Sequence, residues 1–247
     1  MPGQISRNAF SIPAGELVHG VPAWECHVHT LFTDGEASVL DCVERALDQG
    51  LSRIIFTEHT EPWKAKRKGW FTQYADEVRM AAQRYIGEIE VILGVEAPAN
   101  DFVGGLEFTT EMLDTCDFIL GTAHRYPGLD GRRVRDLSAK ECIELEYATL
   151  LALSNNEIID AIAHIGGTCG LYCIDFPEEL AVDVIRAAAL NGVAIELNSR
   201  YHSSLDRLIR ICVQENARVT IGSDAHSLGE IGTAFRGLQA IFEAETV

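Results

Sequence analysis

The chain has 247 residues, of which 47% are hydrophobic and 23% charged, and its formal net charge at pH 7 is −17. This length is enough for one large α/β domain or two small ones, and the negative charge disfavours nucleic acid as a partner. The N-terminal segment lacks a signal-peptide pattern, and no apolar run reaches the roughly 18 residues of a membrane helix. We therefore expect a cytoplasmic protein with no membrane contact.

The seven cysteines are odd in number and scattered, which is typical of a reducing compartment rather than of a disulfide framework. Five lie in apolar stretches and are expected in the core: Cys26, Cys42, Cys116, Cys142 and Cys212. The spacing of Cys169 and Cys173 is loosely compatible with metal binding, but no Cys-rich segment lies nearby. We expect these two thiols to be buried or partly buried.

Seven short apolar runs rich in β-branched residues predict strands, and the stretches between them predict helices. In chain order the predicted strands are AWECHVH (23–29), SRIIFTEH (52–59), EVILGVEA (90–97), DFILGTAH (117–124), DAIAHIG (160–166), GVAIELNS (192–199) and RVTIGSDAH (218–226). The helical pattern is clearest in residues 37–50, where Ser38 and Asp41 suit the start and Gly50 suits the end. It recurs in residues 179–192 and 204–217.

Alternating strands and helices imply parallel strands joined by right-handed crossovers. Seven such units fit a closed or nearly closed β/α barrel better than an open doubly wound sheet. No Gly-rich dinucleotide fingerprint follows the first strand, which also weakens the open-sheet alternative. Because no Pro- or Ser-rich linker interrupts the pattern, we expect a single domain over residues 1–247.

Every predicted strand ends in side chains that can bind a metal ion, and in a β/α barrel these ends meet at the catalytic face. The side chains at the strand ends are His27 with His29, His59, Glu96, His124, His164, Glu196 with Asn198, and Asp224 with His226. A lone His-x-His pair would be unremarkable, but six of the eight histidines fall at these positions. Imidazole and carboxylate ligands in this number predict two or three divalent ions, either Zn²⁺, Mn²⁺ or Fe²⁺.

Taken together and in order, the motifs HVHTLFTDG, FTEHT, GVEA, GTAHR, AHIG, IELNS and GSDAH resemble the polymerase and histidinol phosphatase (PHP) superfamily over nearly the whole chain. The resemblance implies a distorted (β/α)7 barrel with a trinuclear metal centre that hydrolyses phosphoesters. It also implies three ligand sets, namely His27, His29, Glu96 and Asp224; Glu96, His124 and His164; and Asp34, His59 and His226. In the family the position of Asp34 is either His or Asp.

Four residues near the strand ends are candidates for substrate contacts. Arg125 and Arg200 suit a phosphate because guanidinium is forked, although each could instead form a surface salt bridge. Asn198 is in phase with Glu196, and either side chain could orient a ligand or the substrate. His202 could contact substrate or donate a proton to the leaving group, or it could be a solvated loop histidine.

The segment EPWKAKRKGWF, residues 61–71, combines basic residues with Trp63, Trp70 and Phe71. Such a loop could form a lid in which Trp63 stacks on a ring and Lys64 meets a phosphate, although an ordinary surface loop would have a similar composition.

These features predict a metal-dependent phosphoesterase that hydrolyses a small phosphomonoester, with a hydroxide bridging the metal ions as nucleophile and Arg125, Arg200 and His202 assisting. The motifs look more like the histidinol-phosphatase branch, so histidinol phosphate is a candidate substrate. Two alternatives stay open. A phosphodiesterase or nuclease would need a basic groove, and an amidohydrolase-like enzyme would need a bridging Lys, whereas no predicted strand ends in Lys.

Overall fold

The computed structural model describes residues 7–129, 132–202 and 204–245. Its strands are β1 Ile12–Pro13, β2 Trp24–Val28, β3 Arg53–His59, β4 Glu90–Pro98, β5 Phe118–Thr122, β6 Ala161–Ile162, β7 Ala194–Asn198 and β8 Arg218–Gly222. Its α-helices are α1 Val39–Asp48, α2 Trp70–Arg84, α3 Thr110–Thr115, α4 Ala139–Ser154, α5 Gly167–Leu171, α6 Glu178–Asn191, α7 Leu205–Gln214 and α8 Thr233–Glu245. Short 3₁₀ helices cover Arg7–Phe10, Ala14–His19 and Val134–Asp136.

Strands β2 to β8 lie side by side in chain order, and each pairs with the next in parallel. The sheet closes where Val28 forms a parallel bridge with Ala225, just beyond β8. Two backbone hydrogen bonds support this closure, from His29 N to Ala225 O at 2.9 Å and from Ala225 N to His27 O at 3.0 Å. The predicted distorted seven-stranded β/α barrel is therefore confirmed.

The short strand β1 was not predicted, because two residues are too few to show a periodic pattern. It runs antiparallel to β8, with Ile12 opposite Val219 and Pro13 opposite Arg218. Proline is tolerated on an edge strand because its missing N–H is not needed there. The Arg218 guanidinium also donates to Ser11 Oγ at 2.9 Å, which holds this segment against β8.

The barrel interior is apolar below and polar at its carboxyl-terminal mouth. The apolar cluster inside the barrel consists of Phe10, Cys26, Ile55, Ile92, Phe118, Leu120, Ala161, Ala163 and Ala194. Along a strand, residues four apart lie on the same face. Ile55 is therefore followed at the mouth by His59, and Ile92 by Glu96. The strand repeat that builds the core also directs the polar side chains into the mouth.

A bulge in β2 lies beside two histidines at the mouth, His27 within the strand and His29 just beyond its end. The pairing with β3 shifts register between Glu25 and Val28. Cys26 belongs to the apolar cluster inside the barrel, whereas Val28 packs outside against the helices. His27 Nε2 and His29 Nε2 are 3.1 Å apart, so the two imidazoles point to the same side.

The predicted amphipathic helices cover the outside of the barrel. At the start of α1, Ser38 Oγ accepts from Asp41 N at 3.2 Å while Asp41 Oδ2 accepts from Ser38 N at 3.2 Å, a reciprocal capping box. Gly50 follows the end of α1 with a φ of +72°, a conformation that glycine adopts without strain. Within the described residues, no helix combines the length and apolar character needed to cross a membrane.

The cysteine predictions hold with two corrections. Of the five thiols expected in the core, Cys116 is only partly buried and the others are buried. Cys173 is exposed, because it follows α5 in a turn with a φ of +56°. Cys169 is buried, and its Sγ lies 3.5 Å from Cys142 Sγ. The two residues are 27 positions apart, so the sequence did not indicate this contact.

Candidate metal centre

The ends of β2 and β8 bring one carboxylate between two imidazoles. Asp224 Oδ1 lies 3.3 Å from His27 Nε2 and 3.1 Å from His29 Nε2, and all three side chains are buried. Asp224 has a φ of +50°, a region that residues other than glycine seldom adopt and that recurs at functional sites. Three ligand atoms thus converge at the point where the barrel closes.

Glu96, at the end of β4, lies at the centre of the cluster and is fully buried. Its Oε1 is 3.1 Å from both His124 Nε2 and His164 Nε2, and 3.5 Å from His27 Nε2. Its other oxygen, Oε2, is 2.8 Å from His59 Nδ1. One carboxylate therefore contacts side chains from β2, β3 and the segments after β5 and β6, which is the position that the bridging role of Glu96 requires.

A third group of side chains lies nearer the surface. Asp34 Oδ2 is 3.2 Å from His59 Nε2, and Asp34 Oδ1 is 3.2 Å from His226 Nε2. Lys64 Nζ contacts this group at 3.1 Å from Asp34 Oδ2 and 2.8 Å from His59 Nε2. The ammonium group places a single positive charge beside a carboxylate and an imidazole, where a divalent ion would place two.

Glu196 and Gly222 support the ligands from behind. Glu196 Oε1 is 2.7 Å from His27 Nδ1, and Glu196 Oε2 accepts from His164 N at 2.8 Å. A carboxylate bonded to the far nitrogen of a histidine fixes the orientation of its ring. Gly222 on β8 has no room for a side chain, because an added Cβ would lie 2.1 Å from Glu196 Oε1. Glu196 therefore orients a ligand, one of the two roles considered for it from the sequence.

The cluster balances buried negative charge with protons. Burial opposes a charge on His27, but Glu196, Asp224 and Glu96 outweigh it and raise its pKa well above the usual range. Burial and nearby histidines lower the pKa of His29 to about 3. Burial also opposes charge on Glu96, yet the surrounding imidazoles hold its pKa well below the usual range. Since ligand histidines must be neutral to bind a metal, ion binding here would release protons.

Unpaired buried atoms show that the side chains fit a cluster of ions. His29 Nδ1, His59 Nδ1, His124 Nδ1 and Glu96 Oε2 are buried without a hydrogen-bond partner. His59 Nδ1 and Glu96 Oε2 are only 2.8 Å apart, yet neither forms a hydrogen bond with good geometry. Leaving such atoms unpaired is costly, and native structures seldom do so without a functional reason. The nitrogen and oxygen ligands suit Zn²⁺, Mn²⁺ or Fe²⁺.

Two neighbours of the cluster were missed from the sequence. Glu61 is buried, and its Oε2 lies 3.8 Å from His59 Nδ1 and has no hydrogen-bond partner. The ring of Tyr201 lies 4.7 Å from that of His164, and burial raises the pKa of its phenol. Glu61 is two residues beyond His59, so alternation past the strand end would have found it. Tyr201 depends on the path of a loop and had no sequence signal.

Two further buried glutamates maintain the backbone around the site. Glu25 accepts from Ser223 N and Gly232 N, both at 2.8 Å, and burial raises its pKa to about 7. Glu58 accepts hydrogen bonds from the hydroxyls of Thr30 and Thr33, which gives it a structural role.

Arg200 forms the surface ion pair considered for it from the sequence, and its contact with substrate stays a prediction. Its Nη1 donates to Asp224 O at 2.9 Å and lies 3.1 Å from His226 Nδ1. The same nitrogen is 3.6 Å from Glu230 Oε1, which makes a surface ion pair. With 41% of its side chain exposed, Arg200 lies at the rim of the cluster and remains accessible to a ligand.

Arg125 lies just after His124, in the segment that follows β5. Its Nη1 is 3.3 Å from Glu107 Oε2, and its guanidinium lies 4.5 Å from the centre of the Trp63 ring. Trp63 is 60% exposed, so one face of this pair is open to a ligand.

Asn198 and His202 organise the loop after β7. Asn198 Oδ1 accepts from Arg200 N at 2.8 Å and Tyr201 N at 3.3 Å, while its Nδ2 is buried and unpaired. His202 Nε2 is 3.0 Å from Ile165 O, and His202 Nδ1 accepts from Asn198 N at 3.4 Å. Since both ring nitrogens contact backbone and burial lowers the pKa of His202, this geometry favours neither the proton-donor role nor a solvated histidine.

The lid predicted for residues 61–71 cannot include its last two residues. Trp70 and Phe71 are buried in the first turn of α2, so they are core residues. Lys66 Nζ donates to Gly35 O at 3.1 Å, which ties the segment to the loop after β2. Glu61, Trp63 and Lys64 are the members of this segment that lie at the metal centre or its rim.

A barrel of parallel strands with buried imidazoles and carboxylates at its mouth defines a metal-binding hydrolase of the β/α barrel class. The chain belongs to the PHP domain family, whose model matches residues 25–200.

The chain is similar over most of its length to proteins named as phosphatases. It is 27% identical over 233 residues to a probable phosphatase of Acetivibrio thermocellus, covering 90% of this chain and 86% of that protein. It is 27% identical over 249 residues to a probable histidinol-phosphatase of Deinococcus radiodurans, covering 90% and 93%. The fold matches histidinol phosphate phosphatase from Lactococcus lactis, complexed with Zn, L-histidinol and phosphate, with a TM-score of 0.69 at 18% identity, covering 90% and 92% of the two chains.

Proposed function

We propose that the protein is a metal-dependent phosphatase that hydrolyses a small phosphomonoester. The central observation is Glu96, a fully buried carboxylate in contact with imidazoles from four segments of the barrel, with one oxygen that no hydrogen bond satisfies. Membership of the PHP family and the named relatives support this chemistry.

The proposed ligands are the nine side chains expected from the sequence, all of which lie at the mouth of the barrel: His27, His29, Asp34, His59, Glu96, His124, His164, Asp224 and His226. Two or three divalent ions would supply positive charge to the phosphoryl oxygens and activate water at neutral pH. Zn²⁺, Mn²⁺ and Fe²⁺ all suit these ligands, and we propose no preference among them.

The protein's own cations lie where the substrate's phosphoryl group would need them. Asp34 and His226 form a pair that is flanked by Lys64 on one side and Arg200 on the other. Arg200 can donate two parallel hydrogen bonds to phosphoryl oxygens and stabilise the charge that develops in the transition state. Lys64 can act as a point charge at the same oxygens.

The site excludes water on its inner side and is open on its outer side. Glu96 and the β2 histidines are buried, whereas Asp34, Arg200 and Trp63 are at least 40% exposed. A phosphoryl group can therefore approach from the rim while the ligands stay fixed by Glu196 and the strands. Histidinol phosphate is a candidate substrate, supported by the names of relatives.

Release of inorganic phosphate from a panel of esters tests the proposal. The panel contains phosphomonoesters including histidinol phosphate, dinucleotides and short oligonucleotides, each with protein loaded with Mn²⁺, Zn²⁺ or Fe²⁺. We expect hydrolysis of phosphomonoesters that is lost in Glu96→Gln with the fold retained by circular dichroism. Cleavage confined to diesters would favour the phosphodiesterase alternative, and no hydrolysis with any metal would contradict the proposal.

A further inference from the structure

A cleft of about 500 Å³ opens beside the metal centre, between the segments that follow β4 and β5. One chain connection and one hydrogen bond join it to the ligand cluster. Arg125 lines the cleft and directly follows His124. Glu107 also lines it, and its backbone oxygen accepts the hydroxyl of Thr60, the residue after His59. A substrate whose phosphoryl group lies at the metal centre would therefore place its leaving group in or near this cleft.

The cleft is basic, in contrast to the protein as a whole. Among the residues that the structure describes, three arginines and one glutamate line it, while the complete chain has a formal net charge of −17. Arg125 is paired with Glu107 at 3.3 Å, and Arg132 is paired with Glu141 at 2.8 Å. Arg133 forms no ion pair with a carboxylate among residues 7–129, 132–202 and 204–245, and its side chain is exposed. The cleft thus has a guanidinium available to an anion.

We infer that the cleft selects phosphomonoesters whose leaving alcohol carries a second anionic group, a carboxylate or a second phosphate. Arg133 would bind this group directly, and Arg132 and Arg125 would add positive charge. The stack on Trp63 and the ion pair with Glu107 restrain the Arg125 guanidinium, so little side-chain entropy is lost when an anion binds. For an ammonium-bearing leaving group, such as that of histidinol phosphate, Glu107 is the one described residue of the cleft that offers an opposite charge. This inference rests on the proposed phosphatase function.

Calorimetric titration of metal-loaded protein with non-hydrolysable alkylphosphonates tests the inference without relying on turnover. The ligands share a phosphonate for the metal centre and end in a methyl, a carboxylate, a second phosphonate or an ammonium, over a series of chain lengths. At the best length we expect an anionic end to improve affinity over the methyl end by about 10-fold, and the ammonium end to give no improvement. The carboxylate and second-phosphonate arms show which anion the cleft prefers.

Arg133→Ala should reduce the ratio between anionic-end and methyl-end affinities to about 2-fold or less, and Arg133→Lys should restore part of it. Arg135→Ala is the matched control, because Arg135 lies two residues further along the chain, pairs with Asp136 and does not line the cleft. It should keep the wild-type ratio. Circular dichroism establishes that each variant is folded.

Equal affinities for anionic and methyl ends in the wild type would overturn the inference, as would a ratio that Arg133→Ala leaves unchanged. A preference for the ammonium end would assign the cleft to Glu107 and cationic leaving groups instead. Each of these outcomes leaves the proposed function intact if phosphomonoesters are hydrolysed. Failure of the phosphonates to bind the metal-loaded protein at all, together with no phosphate release, would contradict the phosphatase proposal itself.

Discussion

Glu96 shows how a single residue connects the whole cluster. Its two oxygens contact ring nitrogens of His27, His59, His124 and His164 within 3.5 Å. Its place at the end of a predicted strand made it recognisable from the sequence, because strand ends meet at the mouth of a barrel. The distances to its neighbours could not be predicted, since they depend on how four segments curl around one another.

Glu96→Gln should reduce activity more than Asp34→Ala. The first substitution removes a charge at the centre of the cluster, whereas Asp34 serves one group at the edge and is 40% exposed. We expect a loss of kcat/KM of at least about 100-fold for Glu96→Gln and a smaller loss for Asp34→Ala. Steady-state kinetics and metal analysis on folded variants measure both effects. Equal losses, or the reverse order, would contradict the central position of Glu96.

Arg200→Ala should lower kcat/KM by about 10- to 100-fold, the range expected when a charge-assisted hydrogen bond worth about 1.5–3 kcal/mol is lost. Arg200→Lys should recover activity only in part, because Lys keeps the charge but loses the fork. Metal analysis is the control, since Arg200 Nη1 also donates to the backbone oxygen of Asp224. If Arg200→Ala has wild-type kinetics, the role of Arg200 is limited to its ion pair with Glu230. If the variant loses metal, Arg200 supports the cluster instead.

At the scale of elements, the strands could be predicted well because their apolar pattern is set by burial on both faces. The helices α1, α6 and α7 followed from their apolar stripes and end residues. The short elements α3 and α5 and the 3₁₀ helices were not predicted. They span three to six residues, and tertiary contacts rather than periodicity decide such segments.

The packing of β8 against the ligands makes Gly222 sensitive to any side chain. An added Cβ would lie 2.1 Å from Glu196 Oε1 and 2.7 Å from His27 Cβ. We expect Gly222→Ala to weaken metal binding by at least about 10-fold and to destabilise the fold by about 1–3 kcal/mol. Gly229→Ala is the matched control, because nothing lies within 4 Å of its added Cβ. Metal titration measures the affinities, and equal metal affinities in the two variants would contradict this account.

Helix α4 is joined to α5 through Glu146, which is buried. It accepts from Cys169 N at 2.7 Å, Tyr126 Oη at 3.0 Å and Thr168 N at 3.2 Å. Glu146→Ala leaves these buried donors unpaired and should lower the free energy of unfolding by about 2–4 kcal/mol. Glu144→Ala on the same helix should change it by less than about 0.5 kcal/mol, because Glu144 is exposed. Denaturant titrations measure both values, and similar values would refute the prediction.

The same residue predicts a pH dependence. Burial raises the pKa of Glu146 in the folded protein, so the folded state binds its proton more tightly than the unfolded state does. The contribution of Glu146 to stability is therefore fully present below the ordinary glutamate pKa and decreases as the pH rises through the folded value. Because Gln does not titrate, the unfolding free energy of the wild type minus that of Glu146→Gln should decrease as the pH rises over that range. A difference that grows with pH would contradict the assigned direction.

At the scale of the whole molecule, charge is distributed unevenly. The chain has a formal net charge of −17, yet Arg125, Arg132 and Arg133 line one cleft beside the metal centre. Overall charge could be obtained from composition, but the cleft arises from loops of which only Arg125 was recognised in advance. The single-domain organisation of residues 1–247 and the cytoplasmic location stay predictions.

The account as a whole depends on the cluster holding more than one ion. The number of bound ions per chain, measured by elemental analysis of gently purified protein and after reconstitution with Mn²⁺, Zn²⁺ or Fe²⁺, tests this most directly. Nine nitrogen and oxygen ligands at one barrel mouth exceed what a single ion can use, so we predict two or three ions per chain. At most one ion per chain, both as purified and after reconstitution, would contradict the account.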